Sequence, residues 1–368
     1  MTSELIDKRQ RLYIGEIDTV KYVTLLLAVL IAATLSGCGG SSPATVGATS
    51  GTSKPAAVRL GYFANLTHAQ ALLGVANGSF QKAIGDVPLK TTVFNAGPSV
   101  VEAFFANELD LAYVGPSPAL NAHVKSHGSA VRVISGSASN GVVIVARKDA
   151  GIAKMADLAG KRIATPQFGN TQDISARHYV LSVLKQTLKN AGGTTDIQNI
   201  ANAEQLGLFK SGQLDAVWAP EPWGARLVHE ADGVLVEEEK NLWPEKNFTI
   251  TLVLASQKFL TEHPDVVEQF LKAHVEITGW LNTHRDEAAD AANAELQKLT
   301  GKSLKKDMLL DAYSRIGFST DVFLDSIKTF ADWAYELKVA KEQPDLKGFI
   351  DLSILEKAKA ANAAGSAK

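Results

Sequence analysis

The chain has 368 residues, room for about two domains at roughly 150 residues each. Thirty-seven basic against 39 acidic side chains leave a formal charge of -2, which excludes the basic stripe that a nucleic-acid backbone requires. With 46% apolar residues and one cysteine, Cys38, this is a globular chain without an internal disulfide, a Cys-x-x-Cys pair or a multi-thiolate metal site.

Lys8, Arg9, Arg11 and Lys21 precede an apolar run from Tyr22 to Ala33, followed by small residues up to Gly40. Basic, apolar and small zones in that order predict an export signal over residues 1–37, and the run is shorter than the roughly 20 residues of a membrane-spanning helix. The n-region is long for such a signal, which leaves a start near Val20 as the alternative to Met1. Leu35-Ser36-Gly37-Cys38 resembles the bacterial lipobox, which implies cleavage before Cys38 and acylation of its thiol. The resemblance places the protein in the periplasm or at the cell surface, held to the membrane by an N-terminal lipid. Residues 38–57 are small and polar, a tether with a root-mean-square span of about 20 to 25 Å.

From Val58 onward, short apolar strands alternate with amphipathic helices. Val58 to Tyr62 precedes a helix over Thr67–Ile84, Leu89 to Phe94 one over Ser99–Asn107, and Asp110 to Val114 one over Ser117–His127. Two β-branched runs follow, Val131 to Ser137 and Val142 to Arg147. The alternation then restarts with Arg162 to Thr165, a helix from Thr171 to about Asn190, and Asp215 to Trp218 before a helix after Pro220. Beyond Pro264 the pattern is helical, with segments near 264–284, 286–299, 304–313 and 321–337. This order predicts an α/β protein with largely parallel strands.

One unit occurs twice. Phe105 to Pro118 and Phe209 to Pro222 both pass from a helix end through Leu-Asp into a short strand and a proline-containing helix start. Two such Rossmann-like halves predict two lobes, 58–144 plus 252–368 and 145–251, joined by crossover strands near Val142–Arg147 and Ile250–Ala255. Ligands of open α/β sheets lie beyond the carboxyl ends of the strands, so the site is expected between the lobes.

Catalytic motifs are absent from the sequence: there is no Gly-x-Ser-x-Gly elbow, His-Glu-x-x-His pair or Gly-x-Gly-x-x-Gly turn. Thr300-Gly301-Lys302-Ser303 matches the end of a phosphate loop, but Leu296 stands where its first glycine belongs, and the stretch reads as a helix break. His123 and His127 share a helix face without a third ligand nearby. No catalytic residue, metal or cofactor is expected.

What the chain offers instead is strand-to-helix turns rich in glycine, hydroxyls and amides: Gly61 to His68, Asn95 to Ser99, Gly115 to Pro118 and Pro166 to Asp173. Free N–H groups and the positive dipole end converge at each, so neutral donors can hold an anion. Each turn also fits an ordinary helix cap, and Ser99-Val-Val-Glu102 fits a capping box. Trp218, Trp223, Phe63 and Phe168 are candidates to wall an apolar compartment or to pack in the core, with Glu221 engaging an amine or a helix N-terminus. Trp243, Trp280 and Trp333 are assigned to packing.

Asn95 to Ser99, Glu108 to Ala119, Gly169 to Asp173, Glu221-Pro-Trp223, Asn241 to Pro244 and His263 to Val275 resemble the solute-binding proteins of ABC importers for aliphatic sulfonates. The wider group takes nitrate, sulfonate, taurine and bicarbonate. The resemblance runs from about Val58 to Leu355 and implies a two-lobed periplasmic-binding-protein fold of type II, with two Rossmann-like lobes on a two-strand hinge. It implies a monomer that is not an enzyme, with a small organic anion as ligand and an ABC permease and ATPase as partners. Matching positions imply ligand contacts from Asn65, Gly97, Ser117, Asn170, Thr171, Gln172, Glu221 and Trp223, with Gly141 on the strand entering the second lobe. Thr67 and His68 lie in a turn that varies among relatives, where His68 either tunes the head group or caps. A sulfonate is expected; nitrate, taurine and vitamin precursors are alternatives, as are a pyrimidine-synthase-like enzyme and a binding module for a membrane sensor.

Overall fold

The structure is a computed structural model describing residues 54–366. The expected signal segment, Cys38 and the tether up to residue 53 lie outside the described residues. β1 (Val58–Phe63) leads through a short 3-10 turn to α1 (Ala69–Ala76) and α2 (Ser79–Ile84); β2 (Leu89–Phe94) leads to α3 (Gly97–Phe105), and β3 (Leu111–Val114) to α4 (Pro116–Lys125). β4 (Val131–Asn140) is separated from β5 (Val142–Arg147) by Gly141 alone. β6 (Arg162–Thr165) then leads to α5 (Thr171–His178), β7 (Asp196–Asn199) to α6 (Asn202–Lys210), and β8 (Ala216–Pro220) to α7 (Trp223–Ala231). After β9 (Gly233–Glu238), β10 (Thr249–Ser256) opens a mainly helical remainder: α8 (Gln257–Glu262), α9 (Pro264–Thr283), α10 (Arg285–Thr300) and α11 (Lys306–Ser314). It closes with β11 (Ile316–Phe318), α12 (Leu324–Glu336) and α13 (Ser353–Ser366). Among the described residues no helix is long and apolar enough to cross a membrane.

Two sheets result, ordered β11-β4-β10-β3-β1-β2 and β7-β6-β8-β5-β9. From one edge, β2-β1-β3-β10-β4 and β7-β6-β8-β5-β9 follow the same plan. A first strand pairs in parallel with the second and third of its set, and a strand arriving from the other sheet inserts antiparallel beside the third. This is the mixed α/β architecture expected of a two-lobed binding protein. The chain leaves the first sheet at Asn140 (φ 61°) and Gly141 (φ 69°) and returns at Phe248–Thr249. A side chain at 141 would meet both a left-handed backbone and the Ile316 side chain 2.7 Å from its Cβ, so glycine fits this crossing.

The Leu-Asp echo has a physical cause. Asp110 accepts the Arg59 backbone N–H at 2.8 Å and its guanidinium at 2.9 and 2.5 Å; Asp215 repeats this with Arg162 at 2.9, 2.9 and 2.6 Å. Each aspartate ties the start of the third strand of its set to the start of the first by a fork of charge-assisted bonds.

The helical remainder packs back on the first sheet: α9 crosses α1, α2 and α13, with Phe270 stacked on Phe80 at 4.4 Å. Beneath it, His274 lies between Tyr113 Oη (2.8 Å) and Ser135 Oγ (3.1 Å), and desolvation lowers its pKa to about 4.

Several elements differ from their expected spans. The helix expected over Thr67–Ile84 is two helices, because Gly78 turns left-handed (φ 73°) and Asn77 Oδ1 caps the Ser79 N–H at 2.9 Å. The helix expected from Thr171 to about Asn190 is α-helical only to His178; a π turn follows over Tyr179–Val183, and Lys185 at φ 54° ends the run. The expected Ser99 capping box does not form, since α3 begins two residues earlier with Ala96 as its cap.

Candidate functional site

Strand ends of both sheets meet at one small cavity. β1 contributes Phe63 and the turn after it Asn65, Thr67 and His68; β2 and β3 end at Asn95 and Gly115. From the other lobe come Asn170, Thr171 and Gln172 after β6, Asn202 after β7 and Pro220 of β8. Six sequence-predicted residues, Asn65, Thr67, His68, Asn170, Thr171 and Gln172, therefore share one space. Its free volume, about 20 Å³, holds a water or two. The lobes touch here: an added Cβ on Gly115 would lie 2.3 Å from Thr171 Oγ1. Gly97, buried behind this wall, packs against Pro118 and Asn170.

The lining carries no Lys, Arg, Asp or Glu. His68 completes this neutrality: it accepts the Phe63 N–H on Nδ1 at 3.3 Å and stacks on the Phe63 ring at 4.5 Å, so its proton sits on Nε2. Burial lowers its pKa to about 3, which keeps the ring uncharged at ordinary pH.

The helix starts around this cavity lack side-chain caps: Ala96, Gly115, Asn170 and Ala201 precede α3 to α6 without accepting a first-turn N–H through a side chain. Ser117 Oγ and Thr171 Oγ1 are buried and have no hydrogen-bond partner, and neither has Asn202 Oδ1. In α4, Pro116 and Pro118 have no N–H, so within the first three helical positions only Ser117 keeps one. An orphaned buried hydroxyl costs about 1 to 3 kcal/mol, so two of them at facing helix starts mark a place where a ligand supplies the missing partner. Ser117 lines a second, larger space, separate in its lining from the first, together with Leu120, Ile174 and Ala334.

Glu221 and Trp223 lie outside the cavity and hold the lobes together. The Glu221 backbone carbonyl accepts Leu66 N–H across the cleft at 3.1 Å, and Trp223 Nε1 donates to Asn65 Oδ1 at 2.9 Å. The Glu221 carboxylate, fully buried, receives Arg315 at 2.9 Å and Ala225 N–H at 2.9 Å. Desolvation raises this carboxyl to about 7, against the pull of Arg315. The amine partner considered for Glu221 is thus supplied as a guanidinium from within the chain.

The aromatic wall is only partly assembled. Phe63 lines the cavity, but Trp218 is fully buried in the second lobe and donates its indole N–H to Glu239 at 2.6 Å. Glu239 also accepts Ser175 Oγ at 2.6 Å, and its burial lifts its carboxyl to about 7. Phe168 is 55% exposed under the Arg177 guanidinium. Trp243 packs on Phe248 at 5.0 Å, and Trp280 on His284 at 5.4 Å. His123 bonds the Asp345 carbonyl at 3.0 Å, while His127 is exposed at φ 49°. Gly301 (φ 75°) ends α10, as the helix-break reading requires.

Two residues at the cleft escape sequence reasoning. Asn202 starts α6 just as Thr171 starts α5, a signal visible only once polar Asp196–Asn199 is recognised as a strand. Arg315 lies 94 residues from Glu221, and no local pattern joins them.

Fold and cleft together define a two-lobed α/β protein with the fold of periplasmic binding proteins. The chain belongs to the NMT1-like family, whose sequence profile matches residues 51–296. It is 26% identical over 340 residues to a putative aliphatic sulfonates-binding protein of Bacillus subtilis (strain 168), covering 91% of this chain and 96% of that one. It is also 26% identical over 208 residues to the taurine-binding periplasmic protein of Escherichia coli (strain K12), covering 56% and 61%. The alkanesulfonate-binding protein of Xanthomonas axonopodis pv. citri, solved bound to MOPS, shares the fold with a TM-score of 0.65 at 20% identity, over 81% of this chain and 99% of that one.

Proposed function

We propose that this protein is the extracytoplasmic solute-binding component of an ABC importer, anchored through a lipid on Cys38, which captures a small organic anion between its lobes and passes it to a permease. An aliphatic sulfonate is the ligand class we favour. The observation carrying this reading is the pair of orphaned hydroxyls, Ser117 and Thr171, at helix starts that meet across the cleft with no cation on the cavity lining. Three sulfonate oxygens need several donors and no proton exchange, and helix N–H groups, hydroxyls, amides and the neutral His68 Nε2–H provide such donors. The names of the relatives support the same ligand class. With about 20 Å³ free, the cavity is smaller than a sulfonate, so entry requires the lobes to part about the crossings at Gly141 and Phe248–Thr249.

Calorimetric titration of the purified protein with methanesulfonate, taurine, bicarbonate and nitrate tests the reading. Binding of methanesulfonate is expected, and tighter than nitrate; absence of binding to the whole panel overturns the proposal.

A further inference from the structure

One side chain of the cavity lining is held by the lobe to which it does not belong. Asn65 stands ahead of the 3-10 turn at Leu66–His68, where an asparagine ordinarily caps a first-turn N–H with its oxygen, but it makes no such bond. Its Oδ1 instead accepts Trp223 Nε1–H at 2.9 Å, from the first residue of α7 in the other lobe. The cavity is lined by five amide side chains, those of Asn65, Asn95, Asn170, Gln172 and Asn202. Among the described residues, only that of Asn65 is bonded across the cleft; Asn170 donates to Gln172 Oε1 at 2.8 Å within its own lobe.

An indole N–H can only donate, so the atom facing it must be the amide oxygen, and the planar amide then turns its NH2 away from the indole. Asn65 is only 6% exposed and lines the cavity, and no described residue accepts from its Nδ2. The indole is itself fixed on the second lobe, with the Arg226 guanidinium 5.1 Å from its ring and Arg226 paired to Glu230 at 2.8 Å. Two positions earlier, the Glu221 carbonyl accepts Leu66 N–H at 3.1 Å, so the strap from Glu221 to Trp223 grips the turn carrying Asn65 at two points. We propose that Trp223 is a positioning residue for the bound anion: from the second lobe it holds the Asn65 oxygen and so aims the Asn65 NH2 into the cavity as a donor. Parting of the lobes withdraws the indole and leaves the amide free to turn. Recognition by Asn65 is thereby conditional on closure. The inference rests on the anion-capture reading above and adds the residue that orients one of its donors.

Calorimetric titration with methanesulfonate tests the assignment, with circular dichroism checking that each variant is folded. Trp223→Phe keeps a ring and deletes the donor, and affinity should fall about tenfold, the worth of one hydrogen bond. In an Asn65→Ala background the same substitution should cost no more than about twofold, since the group it orients is gone. Asn65→Asp separates orienting from clasping. It leaves an acceptor for the indole but puts a carboxylate oxygen where the donor was, so affinity should fall roughly a hundredfold or more. It also keeps the test open to a negative result if Trp223→Phe does not fold. Wild-type affinity in a folded Trp223→Phe would overturn the proposal, and wild-type affinity in Asn65→Asp would reduce the contact to a clasp and overturn it too. A tenfold cost of Trp223→Phe that persists without Asn65 would do the same, because the indole would then act by another route. All three results leave anion capture standing. If the wild type binds none of methanesulfonate, taurine, bicarbonate and nitrate, the capture reading falls and this inference with it.

Discussion

The two ends of each sheet treat polar side chains in opposite ways. At the amino ends of the strands, Asp110 and Asp215 are saturated by Arg59 and Arg162, three bonds apiece, and nothing is left over for a ligand. At the carboxyl ends, Ser117, Thr171 and Asn202 are buried as Asp110 is, yet keep unpartnered oxygens. Asp110 is as buried as the cleft residues, so burial does not mark the site. What marks it is polarity left unsatisfied where two lobes can close on a third molecule. The same Leu-Asp unit supplies both ends, tying one end of the strand and launching a helix toward the cleft from the other.

The sharpest way to probe this contrast is pH, because His68 straddles it: its Nδ1 is used internally and its Nε2–H is kept for the cavity. Its pKa of about 3 in the fold, against an ordinary 6.5, means that between those values only the unfolded chain takes up the proton. The contribution of His68 is thus fully present above pH 6.5 and is lost as pH falls toward 3. In His68→Gln, whose amide oxygen can still accept the Phe63 N–H, this loss is removed. Denaturant titrations at pH 6.5 and pH 4 should show wild type losing on the order of 3 kcal/mol more than the variant. Equal losses would mean that the imidazole is not held neutral.

At the far end, Asp110→Ala strands Arg59, and the cost is set near about 2 kcal/mol because that guanidinium is partly open to solvent. Chemical denaturation should report that loss, with sulfonate affinity unchanged. A loss of affinity without a loss of stability would erase the distinction between the ends. The smallest effect is expected at the cleft: Ser117→Ala removes a buried hydroxyl that bonds nothing, so ligand-free stability should not fall and should rise by about 1 kcal/mol. A destabilisation would show that Ser117 has a partner in the fold and is an ordinary helix residue.

Much of this arrangement was legible in the sequence because it depends on local patterns. Alternating apolar strands and helices gave the order of the elements, and Leu109-Asp110 and Leu214-Asp215 marked the duplicated halves. Small and hydroxyl residues at successive strand ends located the cleft. What stayed hidden depends on distance along the chain or on weak edges. β7 is short, polar and partly exposed, so its helix start at Asn202 was missed with it. Trp218 and Trp223 look alike as aromatics near a strand end, yet one is buried on Glu239 and the other reaches across to Asn65. Glu221 has nothing in its neighbourhood to announce Arg315, whose approach is set by the packing of α11 against α7.

The central claim is that uncharged donors at the meeting helix starts hold the anion, and Thr171→Val tests it most directly by exchanging the orphaned hydroxyl for a methyl of similar size. Isothermal titration with methanesulfonate, paired with thermal unfolding of the ligand-free protein, should show affinity reduced by about 1 to 3 kcal/mol with no loss of stability. Unchanged affinity in a folded variant would contradict the account.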